Sequence, residues 1–257
     1  MHRSNEELAQ IALEVAREAG ALVRAGWRSR PRVVEKAPAD LVTSYDLESE
    51  RLIRRRLAER APELGLVAEE EGGERGTGPA WYVDPLDGTT NFAHGHPFWS
   101  VSIGVLDQGE PLLGAVVAPC LMTEWWGWVG GPALCNGEPC RVSSTVRLDQ
   151  ALLATGFPSD RTREPDSNLA TFARLKRQVR GIRRCGSAAI DLCLVADGTY
   201  DGYWERQLNA WDLVAGATIV KCTNGCVSAL DDGLPRFEIG HIAATNGRLH
   251  AALLAQL

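Results

Sequence analysis

No stretch of this sequence is long and apolar enough to cross a bilayer: its most apolar run, residues 112–122, is interrupted by Gly114 and Pro119 and falls short of the roughly 20 residues a spanning helix needs. Positive charge is also in short supply. The formal net charge is −6, so no overall field attracts nucleic acid or an anionic surface, and an anionic substrate needs locally supplied positive charge. The seven cysteines (120, 135, 140, 185, 193, 222, 226) are odd in number and scattered, which predicts reduced thiols. Neither Cys135/Cys140 nor Cys222/Cys226 has the two-residue spacing or the histidine partner of a tetrahedral zinc site. Missing as well are the phosphate loop G-x-x-x-x-G-K-[ST], the fingerprint G-x-G-x-x-G, the elbow G-x-S-x-G and the helix motif H-E-x-x-H. Readings as a nucleotide hydrolase, dehydrogenase, esterase or zinc protease therefore lose their usual support. The first residues carry Glu6 and Glu7 where a signal peptide turns apolar, so a cytoplasmic protein is expected.

What is present is an ordinary globular balance, 45% hydrophobic and 23% charged over 257 residues. That length allows one large domain or two closely packed subdomains, and the latter is expected, with a boundary near 145. Ser4 and Glu7 form a capping box ahead of apolar residues at helical spacing, which predicts an opening helix of about six turns. A second helix is expected over 46–59, with Leu47, Ile53 and Leu57 inward. Strand periodicity follows at 64–67, 81–83, 101–106, 112–118 and 124–129, indicating a mostly antiparallel sheet. Beyond an Asn136-Gly137 turn the pattern alternates: strand 151–155, helix 167–179, strand 181–184, helix 187–196, strand 199–205, helix 211–223, strands 226–230 and 242–245, and a short final helix. Strands alternating with helices indicate a layered α/β architecture.

The chemistry is concentrated in carboxylates at turns. Asp40-Leu41-Val42-Thr43-Ser44-Tyr45-Asp46 places two acids around a short β segment, and Glu69-Glu70-Glu71 follows an apolar strand. Asp84-Pro85-Leu86-Asp87-Gly88-Thr89-Thr90-Asn91 follows another. Acids where buried strands end are costly unless something neutralises them. In the last segment Pro85 disfavours a helix beginning at Asp84, so both acids and the Leu86 carbonyl fit one tight turn. Such hard oxygen ligands suit magnesium. Gly88-Thr89-Thr90 read as the start of a short helix whose free N–H groups face a phosphate. An aspartate-rich surface turn is the simpler account of the D-P and D-G pairs taken alone. Asp212, at the start of an apolar helix, is in isolation equally well an acid favoured by the helix dipole.

Together these segments resemble the inositol monophosphatase family of magnesium-dependent, lithium-sensitive phosphatases. The resemblance is carried by Asp40-Leu41-Val42-Thr43 with Asp46, by Glu69-Glu70, by Trp81-Tyr82-Val83-Asp84-Pro85-Leu86-Asp87-Gly88-Thr89-Thr90-Asn91-Phe92 and by Trp211-Asp212 with Ala215-Gly216, in the family's order and across most of the chain. It implies an α/β (α+β) fold, a layered α-β-α-β-α sandwich of two subdomains, 1–145 with the metal motifs and 146–257 completing the site. It implies a site of two to three Mg2+ ions. Glu69, Asp84 and the Leu86 carbonyl hold the first, Asp84, Asp87 and Asp212 the second, and Glu69 with water a third. Asp46 and Thr89 orient the attacking water, with Glu69 counted beside them as catalytic. Gly88 and Thr89 offer N–H groups to the phosphate, while Glu205, Ala188, Asp212 and Lys36 face the substrate. Ala68 departs from the glycine usual in the family before the acidic pair, and because Glu69, Glu70 and Glu71 are consecutive the ligand is either Glu69 or Glu70; Glu69 is chosen as nearest the strand end.

The implied activity is magnesium-dependent hydrolysis of inositol monophosphate or a similar small polyol phosphate. Histidinol phosphate, fructose 1,6-bisphosphate or a 3′-phosphonucleotide are the alternatives within the same chemistry, and a metal-binding interaction protein is the alternative outside it. A homodimer is implied, with no membrane or nucleic-acid partner. His94 and His96 are read as loop residues, Trp125, Trp126 and Trp128 as packing or dimer contacts, and the basic stretch Arg174 to Arg184 as a solvated face with a substrate rim or partner patch as the lesser reading.

Overall fold

A computed structural model describes residues 3–29, 33–37, 40–73, 78–158 and 168–257; the side chains of Lys36, Ala37 and Asp40 lie outside that description. Helix α1 (Asn5–Gly26) begins at the expected capping box, Ser4 Oγ accepting from Glu7 N at 3.2 Å. Strands β1 (Val33–Ala37) and β2 (Asp40–Thr43) form an antiparallel hairpin leading into α2 (Ser44–Arg60). Helix α2 starts two residues earlier than its periodicity indicates, because Thr43 and Asp46 make a second capping box.

Next come β3 (Gly65–Ala68), β4 (Ala80–Asp87), the short helix α3 (Thr89–Ala93), β5 (Ser100–Asp107), β6 (Glu110–Ala118), β7 (Thr123–Trp128), β8 (Ala133–Cys135) and β9 (Glu138–Pro139). These strands lie in sequence order in one sheet, with β3 parallel to β4 and every other pair antiparallel. The remaining elements are β10 (Leu152–Thr155), α4 (Leu169–Leu175), β11 (Gly181–Arg183), α5 (Ala188–Ala196), β12 (Gly202–Glu205), α6 (Ala210–Cys222), β13 (Cys226–Ser228), β14 (Ile242–Thr245) and α7 (His250–Leu254). Their strands form a second sheet in the order β11-β10-β12-β14-β13. Helix α4 is shorter than the expected 167–179: the backbone leaves it at Lys176, and Arg180 and Gly181 N–H groups turn to the Ala151 carbonyl. Ser167 lies outside the described residues.

The apolar clusters define the layers. Leu8, Ala12 and Val15 of α1 and Ile53 and Leu57 of α2 pack on Val101, Ile103 and Leu113 of the first sheet. Its other face, through Val116 and Trp125, meets α5 and α6 at Ile190, Leu192 and Val214, and these helices contact Tyr203 and Ile242 of the second sheet. Leu175 and Leu253 cover the far side of that sheet at Leu153 and Trp204. The result is an α-β-α-β-α sandwich. Trp126 and Trp128 stack with centroids 5.3 Å apart on β7, whereas Trp125 is buried and donates to Asp197 at 2.9 Å.

Helix α6 lies directly on β5 and β6. A Cβ at Gly104 would stand 2.8 Å from Ala215 N, and one at Gly114 would overlap the Ala215 backbone. Overpacking of this kind costs about 1–3 kcal/mol. Gly114→Ala is therefore expected to lower the melting temperature and to displace the first turn of α6, where Asp212 sits; a melt superimposable on that of the parent would contradict this close approach.

Candidate active site

Four carboxylates, Glu69, Asp84, Asp87 and Asp212, converge on one cleft from three elements. Strand β4 is buried along its whole length and does not end in the tight turn expected at Asp84; the acids stay in the strand, and its pairing with β5 shifts register between Asp84 and Asp87. The shift falls at Pro85, which lacks an N–H for the ladder. Leu86 N donates to Asp84 Oδ1 at 2.9 Å, and Ser49 Oγ of α2 donates to the Pro85 carbonyl at 2.9 Å. Parallel pairing of β3 with β4 sets Ala68 opposite Val83, so Glu69 leaves its strand beside Asp84. Asp212 arrives from the second half of the chain as the capping-box acid of α6, where Asn209 N donates to its Oδ2 at 2.7 Å. Ser102, the cross-strand partner of Asp84, fixes the approach by donating to the Trp211 carbonyl at 3.4 Å.

Asp87 faces the N-terminus of α5. Its Oδ2 accepts from Ser187 Oγ and, at 3.0 Å, from Ala189 N. Gly88 has φ +94°, which a side chain would strain, and a Cβ there would meet the Gly186 and Phe98 carbonyls at 3.1 Å. Thr89 Oγ1 lies 2.8 Å from Asp46 Oδ1 and 3.0 Å from the Leu86 carbonyl, so its single proton is shared between two acceptors. Asp46 is fully buried and accepts through Oδ2 from Thr43 N and Oγ1 at 2.8 and 2.6 Å.

The electrostatics are those of a compressed anionic cluster. Burial, then the charges of Glu69, Asp87 and Asp212, push the Asp84 carboxyl well above its ordinary range. Burial and the Glu69 and Asp87 charges do the same to Asp212. Asp87 is raised by burial to about 6, with the Ser187 and α5 hydrogen bonds opposing. Burial lifts Asp46 as well, against the Thr43 and Thr89 hydrogen bonds. Such a set cannot carry all its charges without a compensating cation, and carboxylate and carbonyl oxygens are the donors a hard divalent ion takes. Among the described residues no three Asp, Glu, His or Cys side chains already close on a common ion position. The fit thus rests on the shared cleft and the donor chemistry.

The cleft has a volume of about 740 Å3, and Glu69, Asp84, Leu86, Asp87, Gly88, Thr89, Ala188, Glu205 and Asp212 all line it. Of the other expected residues, Asp46 is buried behind it and reaches it through Thr89, while Lys36 lies in β1 with its side chain outside the described residues. Glu70 is not among the lining residues. On the same cleft, Glu205 ends β12, accepts a hydrogen bond from the Tyr203 hydroxyl and is raised by burial to about 7. His94 and His96 are exposed and outside the cleft. Arg184 and Arg206 also line it. Arg184 belongs to the basic stretch read as a solvated face with a substrate rim or partner patch as the lesser reading, and it stands exposed on the cleft wall, whereas Arg206 carried no signal in the sequence. Asn91 reaches the residue after Arg184, its Nδ2 donating to the Phe98 and Cys185 carbonyls at 2.6 and 2.8 Å.

The model of the "Inositol monophosphatase family" matches residues 4–257. An inositol-1-monophosphatase from Synechocystis sp. is 42% identical over 95% of this chain and 86% of that protein. Nus factor SuhB of Pseudomonas aeruginosa is 38% identical over 98% of this chain and 96% of its own length. The solved inositol monophosphatase from Anabaena (Nostoc) superposes with a TM-score of 0.90 at 38% identity, covering 98% of this chain and 95% of the other.

Proposed function

Because the chain belongs to the inositol monophosphatase family, and is thereby a phosphoric monoester hydrolase, we propose that it hydrolyses inositol monophosphate or a similar small polyol or sugar phosphate in a magnesium-dependent reaction. One observation carries this reading: the four carboxylates Glu69, Asp84, Asp87 and Asp212 face the same cleft as the Asp46–Thr89 hydrogen-bonded pair. These carboxylates and the Leu86 carbonyl would hold the ions, two to three in number, and magnesium bound there would supply neutralisation of the cluster and polarisation of the phosphoryl group.

The chain's own groups do the rest. Asp46 holds the Thr89 hydroxyl at the cleft wall, where it orients the attacking water, with Glu69 beside it. The N–H groups of Gly88 and Thr89 face the phosphate oxygens. Glu205, Ala188, Asp212 and Lys36 form the side that receives the alcohol, Glu205 accepting from a substrate hydroxyl. Residues 1–145 supply the metal motifs and 146–257 complete the site as a second subdomain. The reading extends to a lithium-sensitive cytoplasmic homodimer, supported at the dimer level by the half-buried Trp126–Trp128 stack on β7.

The direct test is phosphate release from inositol 1-phosphate, with and without magnesium, on the parent and on Asp87→Asn. Fast release that needs magnesium and is lost in the variant is expected. A panel of histidinol phosphate, fructose 1,6-bisphosphate and a 3′-phosphonucleotide ranks the alternatives, Arg184 and Arg206 being the observation that favours a second phosphate. No release from any of them would turn the reading to a metal-binding interaction protein.

A further inference from the structure

Glu50 lies on α2 one turn beyond Asp46, with a fully buried side chain. A buried carboxylate on a helix otherwise packed through Ile53 and Leu57 requires donors, and it has four. Its Oε2 accepts from Glu70 N at 2.7 Å, and its Oε1 accepts from Glu71 N at 2.8 Å. Arg54, one turn further on, reaches Oε1 with Nε at 2.9 Å and with Nη2 at 2.8 Å, and Nη2 also donates to the Gly72 carbonyl. That same carbonyl accepts from Ala68 N at 3.1 Å, which closes residues 68–72 into a tight turn. Gly73 then leaves at φ +144°, where a Cβ would collide with the Leu66 carbonyl.

We infer that Glu50 is a positioning residue for the metal site: it clamps the two peptide N–H groups that follow Glu69 and so fixes the direction in which the Glu69 carboxylate enters the cleft beside Asp84. The inference rests on the magnesium-dependent reading above. Three consecutive glutamates could present themselves to the cleft in more than one register. Binding the N–H groups of the second and third to one buried carboxylate selects a single register, and Arg54 holds that carboxylate in place. Glutamine at 50 is nearly the same size, but its amide has one acceptor oxygen and turns an NH2 toward a peptide N–H, so one clamp bond becomes a repulsion.

Supporting groups of this kind change metal affinity by about 10–100-fold when removed. Calorimetric magnesium titration of Glu50→Gln is expected to show a loss within that range, while phosphate release regains the parent kcat once magnesium is saturating. Arg54→Gln, at a less buried position on the same clamp, is expected near the lower limit, about tenfold, and keeps the question answerable should Glu50→Gln not fold. Ile53→Val serves as the comparison, since it weakens the same helix without touching the clamp. Magnesium affinity unchanged in both clamp variants overturns the inference, as does a loss in Ile53→Val equal to theirs at equal melting temperature. A parent that binds no magnesium and releases no phosphate overturns the functional reading itself, a result separate from that of the variants.

Discussion

Asp84→Asn is expected to lower phosphate release about a thousandfold and, in the same protein, to raise the melting temperature measured in chelator. The two effects have one cause. Asp84 lies in a buried cluster where burial first, and then the charges of Glu69, Asp87 and Asp212, raise its carboxyl. Asparagine keeps the oxygen that accepts from Leu86 N and cannot ionise, so the ion-free fold is relieved of a carboxyl that burial and its neighbours disfavour as an anion. With cations bound, the missing charge leaves a buried ionic site short of one partner, a loss of about 4 kcal/mol by analogy with broken buried pairs, or about a thousandfold in rate. Magnesium at about a hundred times its dissociation constant stabilises the parent by about 2.7 kcal/mol, and Asp84→Asn is expected to gain much less. The order of stability should then invert between chelator and magnesium. Melting curves under the two conditions, beside the phosphate assay, check this; a variant less stable in chelator and equally stabilised by magnesium would show that the carboxylates do not repel one another as described.

Ion-free protein is also expected to lose stability as pH rises from 4 to 7, the reverse of the usual behaviour of paired surface acids. Asp87 releases its proton near 3.8 when unfolded and near 6 when folded, so the folded form binds more protons between those values. Stability contributed by the neutral carboxyl is present below 3.8 and gone above about 6, a change of about 3 kcal/mol at 1.36 kcal/mol per pH unit. Glu205 acts in the same direction between 4.5 and about 7. His250, held below its ordinary value by burial, opposes them up to 6.5. Saturating magnesium at pH 8 should restore the part due to the metal-site acids, and Glu205→Gln should remove only its own segment of the slope. A melting temperature independent of pH in chelator would mean that these acids are solvated rather than compressed.

Local spacing made much of this protein legible from its sequence. The capping box at Ser4 and Glu7, the periodicity of α1, five of the seven strands of the first sheet and the short helix after Gly88 are all encoded within a few residues of one another, where backbone preference and hydrophobic alternation act directly; the short β8 and β9 and the continuation of β4 through Asp87, read as a turn, were not. The α4 end was not, because what stops that helix is the Ala151 carbonyl accepting from Arg180 and Gly181 N–H groups. The start of α2 was readable in principle, since Thr43 and Asp46 stand at capping-box spacing, but the apolar pattern begins later and masks it.

By itself the sequence determined which acids are available, that Glu69 follows an apolar strand and Asp212 opens a helix, and, by resemblance, the chemistry they belong to. Only the tertiary structure decided how they meet. Glu69 stands beside Asp84 because β3 runs parallel to β4, a pairing with no local signal. Asp212 joins them because Gly104 and Gly114 let α6 lie against the sheet. Arg184 lines the cleft, and Glu50 takes hold of the turn after Glu69, through contacts between residues 20 or more positions apart. Such contacts depend on how whole layers pack, and no short-range pattern in the chain records them.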